Sequence, residues 1–123
     1  MRVLGFLLVF SSLCFAGDWE KLGERRVNYA ADTDVISVGA REGLFRKIKL
    51  EVRRNGVDFS KVVVHFKNGD KQEIEMRDHI RAGGQTRVID LEGHERVIAR
   101  VVFHYDAQGM RGKKALVILW GHD

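Results

Sequence analysis

The sequence predicts an all-β domain, an antiparallel β-sandwich or jelly-roll-like fold of about eight strands. Apolar and polar residues alternate through most of the chain after residue 30, and this period of two is typical of strands with one buried face. Glycines recur at intervals of about ten residues and indicate turns between the strands. No long segment with a period of 3.6 residues competes with this pattern. The alternation therefore favours one domain built from packed sheets.

Three regions carry the clearest strand patterns. In FRKIKLEVRR (45–54), the face of Ile48, Leu50 and Val52 is apolar and the other face is charged. KVVVHFKNGDKQEIEM (61–76) contains two strands around an Asn-Gly pair at 68–69, which is a strong hairpin signal. KALVILW (114–120) is almost continuously apolar and predicts a central strand.

The longest alternating segment is ERVIARVVFHYD (95–106). Its odd-numbered residues are predicted to face one side, from Val97 and Ala99 through to Tyr105. Shorter strands are expected at 19–27, 35–38, 57–59 and 87–91.

The first residues are typical of an export signal. Arg2 is followed by an apolar run that is too short to span a membrane, and small residues precede a possible cleavage between Ala16 and Gly17. We therefore expect a signal peptide at 1–16 and a periplasmic or secreted domain at 17–123, without a transmembrane segment. Lipidation at Cys14 is the alternative, although the bulky Leu13 before it does not suit a lipoprotein signal.

Composition narrows the function classes. Cys14 is the single cysteine, so cleavage leaves a domain without disulfides, thiol catalysis or cysteine metal ligands. The chain has 21 basic and 17 acidic residues, a mildly basic balance that favours anionic envelope partners such as glycans or lipid headgroups. Nucleic acid is not an expected partner, because the chain is predicted to be exported and its charges of both signs are interspersed. Its aromatic residues are also not arranged as a stacking platform.

No catalytic or metal-binding motif stands out. Ser37 and Ser60 are the serines of the mature chain, and neither lies in a Gly-x-Ser-x-Gly turn. The five histidines show no ligand spacing, but His65 and His104 would share an outer face if their strands were neighbours, and could then bind zinc or copper. We predict no catalytic residues, no metal and no cofactor.

The most unusual stretch is HIRAGGQTRVIDLEG (79–93). Backbone amides in a Gly-Gly turn can converge on an anion, and two arginines flank this turn. A strand follows instead of the helix that would help to hold a phosphate, so an ordinary turn is the competing interpretation. The candidate ligand-binding residues are Arg81, Gly83, Gly84, Gln85 and Arg87.

A second basic loop, AQGMRGKKA (107–115), predicts an exposed hairpin tip. Its candidate binding residues are Arg111, Lys113 and Lys114. A solvated tip without a ligand is the alternative.

The order of segments resembles the YaaI-like family of small exported bacterial proteins, a domain family of unknown function. The resemblance rests on KLGERRV, IKLEV, VVVHF, IRAGGQTRVIDL, RVVFHY and ALVILWG, with Gly84-Gln85-Thr86 as its best-defined part. It implies export and a small domain, and it supplies no catalytic residues. Some relatives carry a cysteine pair near the positions of Glu42 and Val97, which this chain lacks.

The leading hypothesis is an exported, non-enzymatic β-sandwich module that binds an anionic glycan, a lipid headgroup or an envelope protein through its loops. One alternative is a small hydrolase or a metal-dependent periplasmic enzyme. Another is a structural or stress-related envelope protein without a small ligand.

Overall fold

The computed structural model describes residues 18–39, 43–108, 110 and 112–123, and these residues form an all-β domain. Nine strands in two antiparallel sheets confirm the predicted fold class. The strands are β1 Glu20–Val27, β2 Thr33–Ser37, β3 Leu44–Phe45, β4 Lys47–Arg53, β5 Val57–Phe66, β6 Lys71–Ile80, β7 Ile89–Asp90, β8 Arg96–Asp106 and β9 Ala115–His122. The described residues include no helix that could span a membrane. The predicted signal peptide and Arg111 lie outside the described residues.

The first sheet has the strand order β1-β9-β4-β7, and the second has the order β2-β8-β5-β6 with β3 paired to β8. The apolar strand β9 lies between β1 and β4, so the prediction of a central strand is confirmed. The predicted hairpin at 68–69 joins β5 to β6. Gly69 has a φ of 99° there, and its N–H donates to the Phe66 carbonyl at 3.0 Å.

The core lies between the two sheets. Ile48, Leu50 and Val52 are 0% exposed, which confirms the predicted inner face of β4. Phe103 of β8 is also 0% exposed, and its ring centroid lies 5.8 Å from that of Phe59 in an edge-to-face contact. Apolar burial on both inner faces therefore holds the sheets together without a disulfide among the described residues.

Two β-bulges change the alternation in the second sheet. Ser60 is an extra residue in β5, and the strand continues through it, so residues 57–66 form one strand rather than two. Ala99 is an extra residue in β8. Ile98 is consequently buried, while Val97 and Ala99 are only partly buried. The predicted inner face of β8 is wrong before this bulge and correct after it.

The segment between β6 and β7 lies along the edge of β4 that faces away from β9, and it extends the pairing that β7 makes there. Gly83 N–H donates to the Val52 carbonyl at 2.7 Å, and Val52 N–H donates to the Gly84 carbonyl at 2.9 Å. Thr86 N–H donates to the Leu50 carbonyl at 2.8 Å. The regular strand predicted at 87–91 is shorter than expected, since only Ile89–Asp90 forms β7.

Side chains join the two sheets at this edge. The Gln72 amide donates to the Asp90 carbonyl at 3.0 Å and accepts from Glu92 N–H at 2.9 Å. The Arg87 guanidinium donates to the Glu75 carbonyl at 2.9 Å. These contacts give backbone groups of β6 and of the segment after it side-chain partners from the neighbouring sheet.

Candidate functional site at the basic end of the sandwich

The amides of both glycines in the predicted cradle are already hydrogen-bonded. The N–H groups of Gly83 and Thr86 donate to backbone carbonyls of β4, and Gly84 N–H donates to the Arg81 carbonyl at 2.8 Å. Gly83 has a φ of 89°, so glycine supplies the left-handed backbone that this tight turn requires. A role for this loop in binding stays a prediction, and it now depends on side chains rather than on backbone amides.

The polar side chains of this loop have different surroundings. The Arg87 guanidinium is held by the Glu75 carbonyl and lies 3.4 Å from the Met76 sulfur. Gln85 is exposed where it forms an isolated bridge with Glu51. Arg81 is also exposed, and no carboxylate of the described residues pairs with it.

The structure places the glycine turn and the second basic loop at the same end of the first sheet. Gly83 bonds to Val52 on one side of β4, and Val52 pairs with Val117 of β9 on the other side. Neighbouring strands lie about 4.8 Å apart, so Gly83 and the start of β9 are separated by roughly 10 Å. Lys113 and Lys114 immediately precede β9.

Four exposed cations converge at this end of the first sheet. They come from β1, from the turn between β4 and β5, and from the loop before β9. We refer to them as the basic end: Arg26, Arg54, Lys113 and Lys114. Within the described ranges, none of the four side chains forms an ion pair.

Two adjoining cavities open beside these cations. The smaller, of about 240 Å³, is lined by Arg26, Arg54 and Lys114 together with Val27, Asn28 and Ala115. The larger, of about 530 Å³, is lined by Lys113 and Lys114 together with Asn28, Tyr29, Ala30 and Gly112. No carboxylate lines either cavity within the described part of the chain, so both favour an anion.

Local hydrogen bonds set this geometry. Arg54 has a φ of 78° in the turn after β4, where the side-chain amide of Asn55 donates to the Lys114 carbonyl. This bond ties the turn to the loop before β9. Asn28 accepts a hydrogen bond from Ala30 N–H at 3.0 Å and lies between the two cavities.

Sequence reasoning identified Lys113 and Lys114 but missed Arg26 and Arg54. The sequence RRNG at 53–56 was a usable signal, because Asn-Gly marks a turn and two arginines precede it. Arg26 had no such signal, since it is one of several charged residues that alternate in β1.

The sequence profile of the domain of unknown function DUF2541 matches residues 1–121. The chain belongs to the DUF2541 family. The expectation of an uncharacterised domain family is therefore confirmed, while the YaaI-like name is not confirmed by this match. A comparison of this DUF2541 chain with curated proteins found no match.

Solved structures similar to this DUF2541 domain include Pseudomonas aeruginosa AlgX, at a TM-score of 0.55 and 12% identity. That alignment covers 85% of this chain and 27% of the AlgX chain, and it shows a shared fold alone. A mutant of a carbohydrate binding module of family 29 aligns at a TM-score of 0.34 and 18% identity, covering 91% of this chain and 85% of that one. The lower score supports no conclusion about the DUF2541 domain.

A tyrosine pair supports the basic end from inside the DUF2541 sandwich. Tyr29 donates its hydroxyl to the Gly56 carbonyl at 2.6 Å, and its ring meets that of Tyr105 edge-on, with centroids 5.9 Å apart. Tyr105 donates to Asp34 Oδ2 at 2.7 Å, while Arg25 Nε donates to Asp34 Oδ1 at 2.8 Å. Burial and the contact with Asp34 raise the pKa of Tyr105 above its usual value.

The raised pKa of Tyr105 predicts a loss of stability at high pH. Above about pH 10 the unfolded chain ionises its tyrosines, while folded Tyr105 keeps its proton, so the free energy of unfolding falls as the pH rises. Urea unfolding at about pH 8 and about pH 10.5 measures this fall. Tyr105→Phe should be less stable at the lower pH by about 1 kcal/mol and should show a smaller fall. An equal fall in both proteins would contradict this role of Tyr105.

The histidine pair of the metal hypothesis does not come together. The strands of His65 and His104 are neighbours, but His65 pairs with Arg100, and His104 pairs with Lys61. This register separates the two imidazoles by about four residues, or roughly 13 Å. Burial and the nearby cation of Arg100 lower the pKa of His65. Among the described residues, no group of three or more His, Cys, Asp and Glu is placed to hold a metal ion.

A shallow cavity of about 730 Å³ lies at the opposite end of the first sheet. Arg46 and Lys47 line it together with Asp90 and Glu95, and Arg46 Nε lies 3.9 Å from Glu95 Oε2. Its cations are accompanied by carboxylates, so this end does not select for anions as the basic end does.

Proposed function

We propose that this DUF2541 domain is an exported, non-enzymatic module that binds an anionic component of the cell envelope at its basic end. The observation that carries the proposal is the convergence of four exposed cations around two cavities that no carboxylate of the described residues lines. Export rests on the predicted signal peptide, and the localisation proposed is periplasmic or secreted.

The charge arrangement supports an anionic ligand. Arg54 can donate two parallel hydrogen bonds to a carboxylate, phosphate or sulfate, and the lysines act as point charges beside it. Carboxylates of the chain do not compete for these four side chains within the described residues. A ligand anion would therefore gain these contacts without breaking an ion pair of the protein.

The glycine turn adds a further cation to the same end. Arg81 precedes Gly83 on the far side of β4, so an extended ligand that crosses the end of the first sheet would pass from Lys114 to Arg81. Arg87 contributes less, because its guanidinium already holds the Glu75 carbonyl. We therefore assign Arg81 to the binding surface and assign Arg87 a role in joining the sheets.

The paired substitution Arg54→Ala with Lys114→Ala tests the proposal. Isothermal titration of the mature domain with polygalacturonate and with phosphatidylglycerol vesicles distinguishes an acidic glycan from a lipid headgroup, with dextran and phosphatidylcholine as neutral probes. We expect binding to one anionic probe, weakened about tenfold in the variant, which corresponds to about 1.4 kcal/mol. Salt should weaken binding to the unmodified domain more than binding to the variant.

The matched control is Arg46→Ala with Lys47→Ala, which removes two cations at the opposite end. This variant should keep nearly all of the affinity. Equal losses in the two variants would show attraction to net charge rather than to a site, and binding of no anionic probe would refute the proposal.

A further inference from the structure

The outer face of the first sheet carries both tryptophans of the chain. Trp120 is an outward residue of the central strand β9, and Trp19 immediately precedes β1. Both side chains are partly exposed. In contrast, every phenylalanine and tyrosine of the described residues is buried in the core. The sandwich therefore buries its other described aromatic rings and presents its two indoles to solvent.

Neighbouring side chains hold both indoles in place. Trp120 Nε1 donates to Glu51 Oε1 at 2.8 Å. Lys49 Nζ lies 4.2 Å from the centroid of the Trp19 ring, and His122 meets that ring edge-on at 5.0 Å. The rings are thus oriented before a ligand arrives, which lowers the entropic cost of binding.

Cations flank the central indole. Trp120 pairs with Lys21 of β1 on one side and with Lys49 of β4 on the other. The nearest carboxylate, Glu51, is occupied by the Trp120 indole and by Arg53 Nε at 2.9 Å. We call Trp19, Lys21, Lys49 and Trp120 the tryptophan face. It combines flat apolar rings with positive charge.

We infer that the tryptophan face binds a sugar residue that carries an acidic group. The apolar C–H face of a pyranose ring stacks on an indole, and its carboxylate or sulfate would then reach Lys49, since Lys21 is already paired with Glu24 at 2.6 Å. A free phosphate has no such ring to stack. The inference rests on the proposed function and deepens it, because it identifies the anionic ligand as a glycan.

The two surfaces lie on one continuous path. β9 runs from the basic end to the tryptophan face, and Leu116 and Trp120 are four residues apart, or roughly 13 Å. Glu24 and Glu51 flank Ile118 between them, but each carboxylate is engaged, Glu24 by Lys21 at 2.6 Å. An extended acidic oligosaccharide can therefore contact both surfaces without meeting an unpaired carboxylate on this path.

Intrinsic fluorescence tests the inference directly, since both tryptophans of the chain lie on this face. Titration of the mature domain with oligogalacturonate should change the tryptophan emission saturably, with the same Kd as isothermal titration. Inorganic phosphate should leave the emission unchanged. Binding of oligogalacturonate without any change in emission would overturn the inference and leave the proposed function standing. Binding of phosphatidylglycerol vesicles but not of oligogalacturonate would do the same, whereas binding of neither probe would remove both.

Substitution identifies the contacts. Trp120→Ala and Trp19→Ala should each weaken oligogalacturonate binding at least about fivefold, with thermal unfolding used to confirm that the variants are folded. Arg54→Ala with Lys114→Ala should retain the change in emission at higher ligand concentration. Tryptophan variants that unfold near the temperature of the unmodified domain and bind oligogalacturonate with unchanged affinity would overturn the inference.

Discussion

Replacement of Phe103 by alanine is expected to lower the free energy of unfolding by about 3–5 kcal/mol. Phe103 is 0% exposed and packs between the rings of Phe59 and Tyr105, whose centroids each lie 5.8 Å from its own. Alanine would leave a cavity between the sheets, because neighbouring strands hold the surrounding side chains in place. Chemical denaturation of the mature domain measures the loss.

Val102→Ala is the matched control for this experiment. Val102 is the preceding residue of β8 and faces outward, where it is partly exposed. Its truncation should cost no more than about 1 kcal/mol. Similar losses for the two substitutions would show that Phe103 is not a central residue of the core.

Thr86→Val is expected to lower the free energy of unfolding by about 1–3 kcal/mol although the side chain keeps its shape. Thr86 is 5% exposed, and its hydroxyl accepts a hydrogen bond from a backbone N–H of β4 in place of a backbone carbonyl. Leu50 N–H donates to Thr86 Oγ1 at 3.0 Å, and that hydroxyl donates to the Arg87 carbonyl at 2.9 Å. Valine leaves both backbone groups without these partners.

Hydrogen exchange locates the effect of this substitution. The amide of Leu50 should exchange faster in Thr86→Val, while Thr86→Ser, which keeps the hydroxyl, should restore most of the protection and stability. Equal destabilisation by serine and valine would assign the effect to packing instead of hydrogen bonding.

Alternation predicted the buried faces wherever a strand stays regular. Local pattern predicted three features correctly. Burial of one face gave β4 its alternating residues, burial of both faces made β9 almost continuously apolar, and the turn at 68–69 selected Asn-Gly. The pattern failed at Ser60 and Ala99. A β-bulge reverses the facing of later residues without any change in composition, so alternation alone does not reveal it.

The stretch HIRAGGQTRVIDLEG also shows how far local pattern can predict structure. Its glycines indicated a turn before a strand, and the structure contains that turn. Pairing of Gly83 and Thr86 with β4 was not predictable, because β4 lies more than thirty positions earlier and has no local signature for this partner. The pairing occupies the Gly83 amide, and the turn itself occupies the Gly84 amide, so both glycine amides on which the anion cradle depended are already bonded.

Local pattern was therefore sufficient for the all-β class and for most strands, because burial of one sheet face imposes a period that short segments display. The basic end and the tryptophan face required the folded chain. Arg26, Arg54 and Lys114 are far apart in sequence. They converge because the first residues of β9 pair with the last residues of β1 on one side and with the last residues of β4 on the other. Strand order and register bring such residues together, and both depend on packing between distant segments.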